Sequence, residues 1–299
     1  MKRAAFTLGM LAVAGLAFAQ QPQTQQNKPA GAPAPAASVQ TAPAPVLGKR
    51  PPQAKTQPEF DAYNAAVANQ KDGPAIEKAA DDFATKFPDS ELRVLLYKAA
   101  MRAYQNTNNG EKMSDMAMKL LKIDPDDPEA LTGAAEVLAE RTRDTDLDKD
   151  QRYDQAKKYA QHALETVDTD IAVPAGAPQA QVDAYKNLLR STAYSVLGTI
   201  EYDQGKFADS EGYFRKSIDV YAAQPDPVVV LRLALALDKQ AKYPDALKEA
   251  NRAVELTQEG TTAGTTARHE RDRLVQLTGG SAPAPPAAGA PVTPAPNSH

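Results

Sequence analysis

Asp144, Asp146, Asp148 and Asp150 alternate through the stretch DTDLDKD. Oxygen ligands at alternate positions suit a Ca²⁺ ion, so these four carboxylates are the one candidate metal set in the chain. A helix–loop–helix calcium site also needs Gly at its sixth place and Glu at its twelfth, and here those places hold Lys149 and Gln155. The run is therefore expected to be a solvated acidic loop. His269-Glu270 opens like the zinc-protease pattern H-E-x-x-H, but Arg273 stands where the second His must be. His162, His269 and His299 are the only histidines, far apart in sequence, and the chain has no Cys. Thiol catalysis and Cys-zinc sites are thereby excluded. No G-x-S-x-G elbow, phosphate-binding loop or dinucleotide fingerprint occurs. These residues make no catalytic constellation and call for no cofactor, so the expectation is a protein that is not an enzyme.

Binding is then the chemistry to seek, and the elements that would present it are helical. In Ser191–Pro225, apolar or small residues recur at steps of three, four and seven on both sides of the turn Gln204-Gly205-Lys206-Phe207. That spacing predicts two amphipathic helices. Gly205 punctuates them, and Pro225 and Pro227 stop the second. Small residues at Gly198 and Ser210 let two backbones approach, while Tyr194, Phe207, Tyr213 and Phe214 fill the space around them. This pair resembles the tetratricopeptide repeat (TPR), a helix–turn–helix unit of 34 residues. Tyr63, Tyr97 and Leu131 follow at that same interval of 34. The resemblance implies an all-α, right-handed TPR superhelix, an α-solenoid of about five helix–turn–helix repeats. They are placed at 57–89, 91–125, 128–167, 191–225 and 227–257, with a capping helix over 267–277 and a polar loop over 259–266. Two insertions interrupt the period: one in the turn over 142–152, and one over 168–190 that starts as a loop and continues as a backward extension of the next helix.

The flanks differ in kind. Lys2 and Arg3, an apolar run from Ala4 to Phe18 and the triplet Ala17-Phe18-Ala19 read as a signal peptide over 1–19, cleaved after Ala19. The run is too short for a stable membrane span, and without Cys the usual bacterial lipid attachment is impossible. A periplasmic or secreted protein is expected. Residues 20–56 and 281–299 are rich in Pro and Ala and carry no aromatic residue, which predicts a disordered tether and a disordered tail around a solenoid over 57–280. Of the 299 residues, 42% are hydrophobic but only 6% aromatic, with no Trp, so the core must be built mainly from Ala, Leu, Val and Tyr. A net charge of -4 argues against nucleic acid and anionic lipid as partners.

In the TPR family the first helices line a groove, and the resemblance carries its ligand positions onto this chain. In the second repeat they include Lys98, Arg102, Gln105 and Asn106; in the third, Thr132, Glu136 and Glu140. In the fourth they include Ser195, Thr199, Tyr202 and Asp203; in the fifth, Leu231, Leu235, Asp238 and Lys239. The implied partner is another protein or peptide, extended or helical. Lys98 and Arg102 alone do not reproduce the family's clamp for chaperone carboxylates. Phe87-Pro88-Asp89-Ser90 resembles the repeat junctions of bacterial cell-envelope TPR proteins, which points to a scaffold or adaptor in envelope assembly. Two other readings compete: a Ca²⁺-responsive binding protein acting through 144–150, and a hydrolase with a pocket made by the 168–190 insertion.

Overall fold

The computed structural model describes residues 48–68 and 71–279. The signal segment over 1–19, most of the tether over 20–56 and the tail over 281–299 lie outside the described residues. Among the described residues the chain forms eleven helices: α1 (Gln57–Val67), α2 (Gly73–Lys86), α3 (Arg93–Asn106), α4 (Gly110–Leu121), α5 (Pro128–Arg141), α6 (Lys149–Thr166), α7 (Gln179–Asp203), α8 (Phe207–Val220), α9 (Pro227–Lys239), α10 (Tyr243–Leu256) and α11 (Thr262–Leu277). No helix among the described residues is long and apolar enough to cross a membrane.

Helix starts follow from local chemistry. The Asp72 carboxylate accepts from the Ala75 N–H at 3.1 Å, and the Asp226 carboxylate from the Val228 N–H at 2.8 Å. Asp127 accepts from both Glu129 and Ala130 at the head of α5. Pro74, Pro128 and Pro227 stand in the first turn of those helices, where a missing N–H leaves no bond unmade. Thr56 caps α1, and the buried Glu59 carboxylate accepts from the Lys55 N–H and the Ser90 hydroxyl. Ser90, the last residue of the Phe87–Ser90 junction, thus ties the start of α1 to the segment after α2. The turns inside three helix pairs, α3–α4, α7–α8 and α9–α10, each pass through a left-handed residue: Asn108 (φ 55), Gly205 (φ 76) and Ala241 (φ 56).

The described chain divides into two compact units. The N-terminal unit comprises 48–137 and 161–189; the C-terminal unit comprises 138–160 and 190–279. In the N-terminal unit α1 to α4 pack each on the next, and α1 also meets α3. Ile76, Ala80, Leu96, Ala100, Met116, Ala117 and Leu120 are fully buried between them. In the C-terminal unit α8 to α11 repeat that succession, with α11 folding back onto α9. One core runs through Phe214, Val230, Leu233, Leu237, Ala246, Ala250, Ala267 and Leu274.

The α7–α8 junction packs as its residue sizes require. A Cβ on Gly198 would lie 2.6 Å from ring atoms of Phe214, whose side chain is fully buried. The Ser210 hydroxyl donates to the Gly198 carbonyl at 2.8 Å, and the Ser217 hydroxyl to the Ser191 carbonyl at 2.8 Å. Small side chains let the helices touch, and their hydroxyls are satisfied by the opposing backbone.

Two boundaries differ from the sequence reading. The tether expected over 20–56 is already fastened at its C-terminal end. The Lys49 N–H donates to the Ile171 carbonyl at 2.9 Å, and the Val173 N–H to the Lys49 carbonyl at 3.3 Å. The Lys49 ammonium reaches Asp124 at 2.7 Å, and Arg50 pairs with Glu91 at 2.7 Å. A Cβ at Gly48 would lie 2.7 Å from the Ile171 carbonyl oxygen, so the close approach requires glycine. Composition hid this, because the strap is held by backbone and charge rather than by an apolar stripe. The capping helix begins at Thr262, inside the loop expected over 259–266. Thr261 caps it, and a Cβ on Gly264 would lie 2.1 Å from the Gln258 carbonyl oxygen. Packing overrides the polar composition there.

Candidate polypeptide-binding site

α7 and α9 turn a common face toward the end of α5 in the C-terminal unit. Thr199, Tyr202 and Asp203 fall three and four residues apart on α7; Arg232, Leu235 and Lys239 do the same on α9. Two adjoining hollows open there. One, of about 510 Å³, is walled by Tyr153, Tyr202, Phe207, Arg143 and Lys239. The other, of about 230 Å³, is walled by Glu140, Thr199, Tyr202, Arg232 and Leu235. Thr142, Tyr202 and Asp203 belong to both.

The walls are held by bonds of their own. Arg232 donates to the Thr199 hydroxyl at 2.7 Å, which aims a guanidinium into the smaller hollow. The Tyr202 and Phe207 rings meet edge to face with centroids 5.3 Å apart. The Tyr153 phenol donates to Asp203 at 3.2 Å, and burial together with that carboxylate pushes its pKa up. Lys157 pairs with Glu201 at 2.7 Å and donates to Gln204 at 2.9 Å, fixing α6 against α7. The Tyr202 phenol is also raised, by burial and by Asp203, Asp238 and Glu270 nearby. Aromatic faces, an aliphatic wall, hydroxyls and both signs of charge converge, and neither hollow is lined by a serine or a histidine. Such a lining suits the varied side chains of a polypeptide.

Of the residues carried over from the family's ligand positions, Glu140, Thr199, Tyr202, Asp203, Leu235 and Lys239 come together here. Asp238 lies close by, paired with Arg273 at 2.5 Å. Ser195 is half-buried one turn below Thr199 and accepts that residue's hydroxyl on its carbonyl. Leu231 is not on this surface: it is 5% exposed and belongs to the core, and its neighbour Arg232 takes the groove position instead. Arg232, Tyr153 and Phe207 line the hollows without being marked by the sequence as binding residues. The repeat pattern marks Tyr153 and Phe207 as packing residues, and the ligand positions of the family skip Arg232.

In the N-terminal unit the outcome is different. Gln105 and Asn106 are exposed at the end of α3, and Glu136 is half-buried on α5. Thr132 is buried at 3% exposure, its hydroxyl donating to the Pro128 and Glu129 carbonyls. Lys98 and Arg102 are not free cations. The Lys98 ammonium lies 2.5 Å from Asp127, and Arg102 clasps Glu129 through two N–H groups at 2.5 and 2.6 Å. Tyr185 of the 168–190 insertion closes over them, its hydroxyl donating to Glu129 at 2.5 Å and accepting from Arg102 at 3.4 Å. Burial by itself would raise the Glu129 pKa; the Arg102 and Lys98 charges outweigh it and hold the group down at about 2. Burial and Glu129 push the Tyr185 phenol well up.

The acidic run does not gather into a metal site. Asp144 faces Lys149 at 3.4 Å, and Asp146 accepts from the Arg143 N–H at 3.0 Å. Asp148 accepts from Arg152 at 2.9 Å, and Asp150 sits in the first turn of α6. Among the described residues no three acidic or histidine side chains are placed to hold a metal ion. Alternate carboxylates in this loop cap and pair locally instead of converging. Glu270, from the H-E-x-x pattern, is buried and binds Arg273, which fastens α11 to α9.

Residues 190–223 match the family model of the tetratricopeptide repeat. Among solved structures, the chain is similar to PilF of Pseudomonas aeruginosa, at 17% identity over 75% of this chain and 87% of that one, with a TM-score of 0.51. It is similar also to TTC0263, a thermophilic TPR protein of Thermus thermophilus, at 12% identity over 73% of this chain and 100% of that one, with a TM-score of 0.44. No curated protein matches the sequence significantly. At such identities the likeness to PilF speaks for the fold alone. The chain is an all-α helical-repeat protein that carries a tetratricopeptide repeat at residues 190–223.

Proposed function

We propose that this chain is a non-catalytic scaffold that binds another polypeptide through the hollows of its C-terminal unit, outside the cytoplasm, in assembly of the cell envelope. The observation that carries this reading is the shared face of α7 and α9, where Thr199, Tyr202, Arg232 and Leu235 surround one concavity beside a tetratricopeptide repeat. Repeats of this type present surfaces to other proteins rather than reaction centres. The signal-like pattern of residues 1–19 and the Phe87–Ser90 junction support the location.

A photo-crosslinking residue placed at Tyr202 or Leu235 of the full chain, expressed in a bacterial host, should trap one discrete partner. The same residue at Lys216, exposed on α8 over the Tyr194 and Tyr213 rings, should not. Equal trapping from all three positions would sink the binding-site assignment. Retention of the chain in the cytoplasmic fraction would sink the envelope assignment and leave the first intact.

A further inference from the structure

In the N-terminal unit the insertion rests on the repeats; its helix runs on into the rest of α7, so its release means fraying α7 back to Leu189. Its apolar contacts form a small cluster of their own, Val167, Ile171 and Leu189 with Val173 and Tyr185 packed against it. Satellite clusters of this kind lie beneath long connections. Lys186, with only 7% of its side chain exposed, donates to the Asp168 carbonyl at 3.0 Å, so loop and helix of the insertion hold together as one piece. Across the interface, Tyr185 reaches the carboxylate and guanidinium of the Glu129–Arg102 pair.

The surface beneath is electrostatically complete by itself. Lys98 has Asp127, Arg102 has Glu129, and Asp127 caps α5 as well. Withdrawing the phenol leaves Glu129 with two N–H donors from Arg102 and with the Lys98 ammonium at 3.7 Å. No buried charge is orphaned by that step, so α3 and α5 need not unfold when the insertion leaves. A core element would behave otherwise, because its removal strips partners from everything it touches.

We propose that the α3–α5 face bearing Lys98, Arg102 and Glu129 is a polypeptide-recognition face occupied in cis by the chain's own insertion. In trans it takes a helix that offers a phenol, in the register of Tyr185, to the Glu129–Arg102 pair. A tethered segment competes at an effective concentration on the order of millimolar, so the seated insertion keeps weak partners out. The strap at Lys49, paired with Ile171 and Val173, is a second hold on the same piece. This inference is independent of the hollows in the C-terminal unit.

Hydrogen exchange on the full chain tests it. In the double variant Tyr185→Ala, Lys186→Ala, backbone N–H groups over 168–189 should exchange at least about tenfold faster, while α3 and α4 keep their protection. Parallel loss of protection in both regions overturns the proposal. Should the double variant fail to fold, Tyr185→Phe keeps the ring and removes only the hydroxyl. Its exchange over 168–189 should still rise by roughly tenfold, the worth of one hydrogen bond to a charged acceptor, and no rise overturns the idea. A fluorescent peptide of residues 178–189 is the trans probe. It should bind the double variant at least about tenfold tighter than the parent, and adding Glu129→Gln should remove that gain. Equal binding to parent and variant, or a gain that survives Glu129→Gln, also overturns it.

Discussion

At the α7–α8 junction a glycine lies against a buried phenyl ring, and two serine hydroxyls bond the opposing backbone. On the α3–α5 face, two cations and two carboxylates are pressed together beneath a tyrosine. Both regions bring helices close, but by opposite routes. The first relies on shape: its buried contacts among Gly198, Ser210 and Phe214 carry no charge, and a change of one methyl group is felt at once. The second relies on pairing: each charge is tolerable only because its partner is in place. Shape is specified residue by residue along one helix pair. Pairing is specified between residues far apart in sequence, and a loss on one side strands the other.

The two routes predict different sensitivities. Glu129→Ala should be the most damaging single change, since it leaves Arg102 without its counter-charge and takes the second carboxylate from Lys98, and denaturant titration should show a loss of about 3–5 kcal/mol. A loss no larger than that of an exposed Glu→Ala change would show that the face is wet and remove the contrast. The same residue sets a pH limit. Its folded pKa, about 2, is below the ordinary carboxylate value of 4.5. Its contribution is therefore full above pH 4.5 and disappears as the pH falls toward 2. Glu129→Gln should flatten that part of the acid-unfolding curve.

Gly198→Leu tests the shape side. The first carbon added is already too close to Phe214, so overpacking should lower stability by about 1–3 kcal/mol in thermal or chemical melts. Ala246→Leu, at a fully buried site in the same unit, should behave alike; melts of both variants that match the parent would contradict the packing. A gain is expected at Ala241, which holds φ 56 in the turn between α9 and α10 where Gly205 stands in the preceding pair. Ala241→Gly should stabilise by about 0.5–1 kcal/mol, relief of left-handed strain exceeding the added chain entropy. The smallest effect concerns His162, whose ring nitrogens meet Asp126 at 2.7 Å and Glu165 at 3.3 Å. Burial lowers its pKa, but the bonds to the two carboxylates outweigh that and raise it above 6.5. Its contribution is full below that value and fades as the pH climbs through the raised pKa. Being partly exposed, the pair should be worth under about 1 kcal/mol by double-mutant cycle.

The same division explains what could be read from the sequence. Gly198, Ser210 and Phe214 announce their junction because packing constrains size, and size is visible in residue type. The helix pairs follow from periodicity and turn residues, down to the 25-residue α7 that the insertion extends backward. Lys98 and Arg102 read as open groove residues because no spacing rule connects Arg102 to Glu129 or to Tyr185, which lies 83 positions away. The ligand positions borrowed from the family assume that first-helix faces are bare, and in the N-terminal unit the insertion lies across one. On α9 the borrowed register holds at Leu235 and Lys239 but fails at Leu231, which packs into the core while Arg232 beside it faces the hollow. Two of the three left-handed turn residues, Asn108 and Ala241, are not glycine, so conformation there is imposed by the helices on either side.

The strap has a mechanical meaning. Because the Lys49 backbone is paired with Ile171 and Val173 while its ammonium holds Asp124 just past α4, a pull on the chain at the strap is shared between the insertion loop and the repeats. Insertion and repeats are thus laced together at a single residue, and traction there loads both at once.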